Sequence, residues 1–269
     1  MIKFTIITST YNCADLLRKT ADSIRNQTYP FKQWIIADGA SEDRTLEVVN
    51  QNNDVVTNLI SEPDTGIYQA WNRALKLIEG DWVIFLGAGD YFYSHQTLEK
   101  IAGKLTNIDQ NIHLAYGDVH LIDKNDQQLC VYGQISEGWE FLRPKLPPHQ
   151  GTFQRAKLFE SEKVFDESYK IAADSKFLIK ALVISTLEYL SEPIVCMDAS
   201  GVSSNIPNTR NTYIELNRLR KEMNLSTPYS HRIFFCTYIY AKILAYRIFP
   251  KRLCSMLLQL KRRIFGFRF

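Results

Sequence analysis

The chain has no CxxC pair. Its five cysteines (Cys13, Cys130, Cys196, Cys236 and Cys254) are scattered and odd in number. That excludes the usual zinc spacings and a closed disulfide framework, and fits a reducing compartment. No repeat period and no low-complexity tract is present, which excludes solenoid and collagen-like architectures. The opening residues, Met1 to Thr10, hold too short an apolar run for a signal peptide and read as a first strand. Residues 233–249 are apolar and aromatic, but Lys242 and Arg247 interrupt them, so a full membrane span is not expected. Acid is missing from the end of the chain. Residues 231–269 hold nine Lys or Arg and no Asp or Glu, leaving 23 basic against 29 acidic residues elsewhere. A mildly acidic body therefore carries a strongly basic tail, which points to an anionic surface.

What is present is ordinary globular material: 269 residues, 45% apolar and 23% charged, enough for one large or two small domains. Residues 3–9 predict a strand, and Asn12 a helix N-cap before Leu16, Leu17, Thr20 and Ile24. Residues 34–37 predict a second strand ending at Asp38, and Asp43 opens a second helix. Residues 55–60 predict a third strand, ending near Asp64. Gly66 to Ile78 predicts a third helix, with Ile67, Ala70, Ala74, Leu77 and Ile78 on one face. Residues 82–86 are a short buried strand, followed by Gly87, Gly89 and Asp90. This alternation predicts an α/β fold with a parallel, doubly wound sheet between helices. In the second half, 113–118 predicts a strand, 139–148 an irregular loop, 177–183 a helix after Asp174, and 187–190 a short strand.

Three successive strands end in an acid: Asp38, Asp64 and Asp90. Parallel strands align their carboxyl ends along one edge, where open α/β sheets bind ligands, so the three acids are expected to converge on one cleft. Asp90, with little bulk around it, suits a hard divalent cation that carries a phosphate ligand.

Four segments resemble the family-2 glycosyltransferases, inverting enzymes of the GT-A fold that use nucleotide sugars. Ile-Ile-Thr-Ser-Thr-Tyr-Asn (6–12) looks like that family's opening strand, with Ser9 in place of its usual proline. Ile-Ala-Asp-Gly-Ala-Ser-Glu-Asp-Arg-Thr (36–45) resembles its Asp-Gly block. Glu-Pro-Asp-Thr-Gly-Ile-Tyr-Gln-Ala-Trp-Asn-Arg-Ala (62–74) is close to a segment of a subgroup that builds bacterial surface polysaccharides. Phe-Leu-Gly-Ala-Gly-Asp (85–90) sits where the family has its DXD-type metal motif, although only one acid remains here. The resemblance runs from about residue 3 to about residue 205. Gly201-Val202-Ser203 matches a weaker late feature.

The resemblance implies a UDP-sugar donor, Mg2+ or Mn2+ at Asp90, and a hydrogen bond from the base or ribose to Asp38. Tyr11, with Thr10 beside it, would stack on the base, and Asp64 and Asn72 would line the same cleft. Each has a structural alternative: Asp38 capping a turn, Tyr11 a half-buried aromatic, Asn72 a loop brace. Tyr-Lys-Ile-Ala-Ala-Asp-Ser-Lys-Phe-Leu-Ile-Lys (169–180) resembles the block in which an acid precedes a helix, making Asp174 the general base, about 3 Å from the acceptor oxygen in the complex. Asp174 can also cap that helix. His149, in Pro-His-Gln-Gly-Thr-Phe (148–153), would touch the acceptor or the leaving phosphate, or be structural.

The expected organisation is a GT-A domain over 1–222 and a basic amphipathic helical tail over 223–269. The tail predicts two helices, broken at Pro250, lying on an anionic membrane surface, or else packed on the body. Its Phe and Ile content and the lack of a nucleic-acid motif exclude DNA or RNA. The whole reads as a cytoplasmic, peripheral membrane transferase acting on a lipid-linked or oligosaccharide acceptor. The alternative is a non-catalytic nucleotide-sugar or lipid-binding protein of the same fold.

Overall fold

The computed structural model describes residues 1–123, 125–161, 163–199 and 208–249, with Cys254 and Leu260 beyond them. The Gly201-Val202-Ser203 feature and the second tail helix, apart from those two positions, lie outside the described residues. Strand β1 (Phe4–Thr10) leads to helix α1 (Ala14–Arg25), β2 (Lys32–Asp38) to α2 (Thr45–Gln51), and β3 (Asn58–Ser61) to α3 (Ile67–Ala74). After β4 (Trp82–Phe85) come β5 (Tyr91–Phe92) and α4 (Thr97–Thr106). The second half runs β6 (Ile112–Ile122), β7 (Gln128–Tyr132), β8 (Trp139–Glu140), β9 (Arg143–Pro144), β10 (Thr152–Arg155) and α5 (Ala173–Ile184). It ends with β11 (Thr186–Asp198), α6 (Thr209–Glu222) and α7 (Tyr229–Ile248).

One sheet organises the molecule, in the order β3-β2-β1-β4-β10-β6-β11-β5, with β7 on β6. The expected parallel layout holds across β3-β2-β1-β4 and again between β6 and β11. Between these blocks β10 runs antiparallel to both neighbours, and β5 and β7 add antiparallel edges. Side chains alternate across the central strands. Ile7, Ile35, Val83 and Phe85 face α3, α5, α6 and α7, while Ile6, Trp34, Ile36, Trp82 and Ile84 face α1, α2 and α4. Burial on both faces is why these strands read as unbroken apolar runs.

Several local expectations are corrected. Asn12 is not an N-cap: α1 starts one residue later, and Asn12 sits in the left-handed region at φ 48°. Its Oδ1 instead accepts the backbone N–H groups of Glu42 and Asp43. The start of α1 is served from outside, where Ala14 N–H donates to Asp43 Oδ2. On α3 the buried stripe is Tyr68, Ala70, Trp71 and Ala74, whereas Ile67 and Leu77 are 38% and 36% exposed. The helix gives way to a 3₁₀ turn at Leu75, and the tighter winding breaks the 3.6-residue stripe. Residues 139–148 contain the β8–β9 hairpin. The strand expected at 187–190 is the first part of the much longer β11.

The first tail helix packs on the body. Phe235 and Ile239 of α7 are buried, and Phe235 meets Phe141 at 4.6 Å and Tyr213 at 5.7 Å between ring centres. Burial of each side chain contributes about 2 kcal/mol. The opposite face of α7 exposes Phe234, Tyr240, Leu244 and Ile248. Among the described residues, no helix is long and apolar enough to cross a membrane.

Candidate active site

The carboxyl edge of β3-β2-β1-β4 carries the acids expected there. Asp38 ends β2 opposite Thr10 of β1. Its buried carboxylate accepts four hydrogen bonds, from Thr10 Oγ1, Ser41 Oγ, Ser41 N–H and Ser61 Oγ. Those fill the lone-pair sites of a carboxylate, so a ligand hydroxyl reaching Asp38 has to displace a serine. Thr10 is likewise buried behind Asp38. Asp38 and Thr10 thus form a braced floor under the loop 39–45.

Above that floor stand Tyr11 and Asp64. The Tyr11 ring is 65% exposed at the end of β1, a free apolar face at the sheet edge. Gly39 explains how it meets Asp64. A Cβ on Gly39 would lie 2.7 Å from Asp64 Oδ2 and 3.3 Å from Tyr11 Cδ2, so only a residue without a side chain leaves both in place. Asp64 Oδ1 accepts the N–H of Gly66 at 2.8 Å. Gly66 has φ 140° and ψ 170°, a conformation open essentially to glycine alone. Asp64 therefore fixes the entry to α3.

Asp90 lies on the same edge, beyond β4. Its carboxylate is buried, with Oδ2 accepting Gly87 N–H at 3.2 Å and Oδ1 accepting Asp198 N–H at 3.1 Å. Burial, opposed by those two donors and helped by the negative charge of Asp198, pushes its pKa up to about 7. Asp198, the last residue of β11, is the acid that sequence reasoning missed. Its backbone N–H meets Asp90 and its negative charge is felt there, beside a DXD-like segment that has only one acid. Among the described residues no three His, Cys, Asp or Glu gather into a metal cluster. Two oxygen-donor carboxylates whose anionic forms oppose each other still fit Mg2+ or Mn2+, which keeps waters and takes substrate phosphates to complete its shell.

Asp174 is the second residue of α5, not its N-cap, which is Ala172. Its Oδ1 accepts Ser175 N–H at 2.7 Å and the Tyr68 hydroxyl at 3.3 Å. Oδ2 accepts no hydrogen bond from the described residues, and the side chain is half-buried. A carboxylate in the first turn of a helix is stabilised as the anion by the helix dipole.

His149 and Asn72 sit behind this carboxylate. His149 is 4% exposed and stacks on Trp71 at 5.1 Å, with Phe85 at 4.9 Å. Burial lowers its pKa to about 4 against the pull of Asp174, so at neutral pH the ring carries no charge to offer a phosphate. Its Nε2 lies 3.2 Å from Gln154 Nε2. Asn72 serves as the loop brace: its amide donates to Phe165 O and Glu167 Oε1, and its oxygen accepts Phe165 N–H. The structure thus joins Tyr11, Asp38 and Asp64 around one loop, sets Asp90 with Asp198 along the same edge, and groups Asp174 with Tyr68 and His149 beyond α3.

Comparison with known proteins decides the family. The glycosyl transferase family 2 profile matches residues 5–167. The chain belongs to that family. This family-2 glycosyltransferase is 32% identical over 180 residues to a PGL/p-HBAD biosynthesis glycosyltransferase of Mycobacterium tuberculosis, covering 66% of this chain and 68% of that protein. It is 30% identical over 190 residues to the poly(ribitol-phosphate) β-N-acetylglucosaminyltransferase TarS of Staphylococcus aureus, covering 67% of this chain and 32% of TarS. Among solved structures, TarS 1–349 in complex with UDP-GlcNAc superposes with a TM-score of 0.64 at 20% identity, covering 91% of this chain and 73% of that one. The mannosyltransferase PcManGT of Pyrobaculum calidifontis, in complex with GDP-Man and Mn2+, gives 0.61 at 16% identity, covering 99% and 81%. The fold is GT-A, and the family-2 glycosyltransferase is a transferase by membership.

Proposed function

We propose that this transferase moves a sugar, with inversion, from a UDP-sugar to a hydroxyl of a lipid-linked saccharide in surface polysaccharide synthesis. The observation that carries the reading is the placement of acids at two stations. Asp90, buried, stands at the strand ends with the half-buried Asp198 beside it, whose backbone N–H it accepts and whose charge it feels, and a half-buried acid with one open oxygen, Asp174, stands across α3. The first suits a diphosphate with its cation, the second a proton. The solved TarS complex holds UDP-GlcNAc in the same fold, which supports a UDP-sugar.

In this reading uracil lies on the exposed Tyr11 ring. The ribose lies beside Asp64 over the Asp38 floor, in the space left by Gly39. Bound by Asp90 and Asp198, Mg2+ or Mn2+ would supply Lewis-acid stabilisation of the leaving diphosphate. Asp174 Oδ2 takes the proton of the acceptor hydroxyl as that oxygen bonds to the anomeric carbon and the bond from that carbon to the phosphate oxygen breaks. Tyr68 and Ser175 hold Oδ1, so the proton goes to Oδ2. His149, Trp71 and Phe165 keep water from the side facing the core. Residues 1–222 form the catalytic domain. The tail, residues 223–269, rests by the basic and apolar outer face of α7 on the inner, anionic face of the membrane.

The test is a panel of UDP-, GDP- and TDP-sugars scored by nucleotide release, with Mn2+ and with extracted lipid-linked saccharides as acceptors. Release of UDP that requires acceptor is expected. Binding of nucleotide sugars without transfer or hydrolysis of any of them would overturn the reading in favour of a binding protein.

A further inference from the structure

A cavity of about 450 Å³ opens between α6, α7 and Leu142, sharing no lining residue with the site described above. Arg220 and Lys221 at the end of α6 and Arg232 in the first turn of α7 line it. Among the described residues no carboxylate lines it, and none of the three cations makes an ion pair. The contrast with the rest of α6 is sharp. Arg218 turns away from the cavity and pairs with Glu222, which also takes Lys176. On the cavity side, Tyr213, Asn217 and Arg220 form a stripe three and four residues apart.

The cations are oriented without being neutralised. Arg220 directs Nε and Nη2 at Asn217 Oδ1, each at 3.3 Å, and that amide oxygen carries no net charge. The Arg232 guanidinium lies 6.0 Å from the Tyr229 ring centre, and its charge is felt at the Tyr213 hydroxyl. Like charges around one concavity repel, and an anion inside it removes that cost. Guanidinium forks match phosphate oxygens, and the arginines outnumber the lysine here. Tyr229 and Ile233, both on the rim, expose 72% and 48% of their surface, an apolar margin beside the charged floor.

We propose that the α6–α7 cavity binds a phosphate group, that of a lipid headgroup or of a free phosphate. The site stands apart from the donor chemistry and does not depend on it.

The test is calorimetric titration of the full chain, with saturating UDP present and ionic strength held by chloride. The probes are inorganic phosphate and dihexanoyl phosphatidic acid below its micellar concentration. Saturable binding to wild type is expected, with affinity lowered at least tenfold in Arg220→Gln/Arg232→Gln. Lys221 is exposed, so Lys221→Gln leaves the fold intact and is expected to weaken binding in the same direction. The control Lys163→Gln/Lys180→Gln removes the same charge from a separate cavity and should bind as wild type does. Binding of both probes assigns recognition to phosphate itself; binding of one alone names the source. Absence of saturable binding, equal affinity in the cavity variants, or an equal loss in the control overturns the proposal.

Discussion

Tyr68 of α3 donates its hydroxyl hydrogen to Oδ1 of Asp174 on α5 across 3.3 Å, joining two residues 106 positions apart. The same helix is fixed at its start by Asp64, whose carboxylate takes the Gly66 N–H. One short helix therefore ties the edge proposed to hold the nucleotide to the acid proposed to take the proton. Tyr68 is buried and its pKa lies well above 10, from desolvation and from the charge of Asp174, so it stays a hydrogen-bond donor at any working pH.

Asp174→Asn keeps the shape of the side chain and removes its basicity. The turnover number should fall by about 10²–10⁴-fold, the range for loss of a general base. Affinity for UDP should stay within about twofold, because no nucleotide contact is assigned to Asp174. Stopped nucleotide-release assays and UDP titration measure the two quantities separately. A parallel loss of UDP binding would place Asp174 on the donor side instead.

Tyr68→Phe removes one of two hydrogen bonds to Asp174 Oδ1 and leaves the Ser175 N–H in place. Asp174 then keeps its charge but loses one of the two contacts that fix its orientation. The turnover number should fall about tenfold or less, with donor KM and UDP affinity unchanged, which steady-state kinetics and UDP titration measure separately. A raised donor KM or weaker UDP binding would show that Tyr68 supports the edge at Asp64 rather than the acid.

Gly39→Ala places a Cβ 2.7 Å from Asp64 Oδ2 and 3.3 Å from Tyr11 Cδ2. Asp64 has little freedom to retreat, since Gly66 holds its other oxygen. The expected result is UDP affinity about tenfold weaker, roughly 1.4 kcal/mol, with kcat at saturating donor little changed. Titration with UDP is the check. Unaltered affinity would show that the nucleotide does not use the gap between Tyr11 and Asp64.

His149 gives a pH signature in stability. Burial lowers its pKa from 6.5 to about 4, so the folded protein keeps it neutral while the unfolded chain protonates it. Between those values the unfolded state binds more protons, and stability falls as pH falls. The contribution is complete above about pH 6.5 and is lost as pH drops through about 4. His149→Phe removes it. Denaturant unfolding should therefore show wild type losing on the order of 2–3 kcal/mol relative to the variant over that window. Two curves that stay parallel would mean that the ring is not buried neutral.

Much of the acid-lined strand edge was legible because each piece is local. An apolar run ending in Asp marks β2 and β4, and such ends meet on one edge of a parallel sheet. Asp198 obeys the same rule after Ile194–Met197, yet it escaped notice. The reason is that β11 passes through register shifts around Pro193, which split one strand into two weak signals. Asn12 looks like a cap because a helical pattern begins just after it, while the loop 42–43 that takes its side chain lies 30 residues away. His149 reads as available until Trp71 and Phe85, both distant in sequence, close over it. The docking of α7 likewise depends on Phe141 and Tyr213, which no pattern within the tail reveals.

A crystal soaked in UDP and Mn2+, with anomalous data collected at the manganese edge, is the most direct trial of the shared donor edge. The anomalous peak should fall between Asp90 and Asp198, with the diphosphate against it and the uracil ring on Tyr11. A peak remote from Asp90, or UDP bound away from Tyr11 and Asp64, would contradict it.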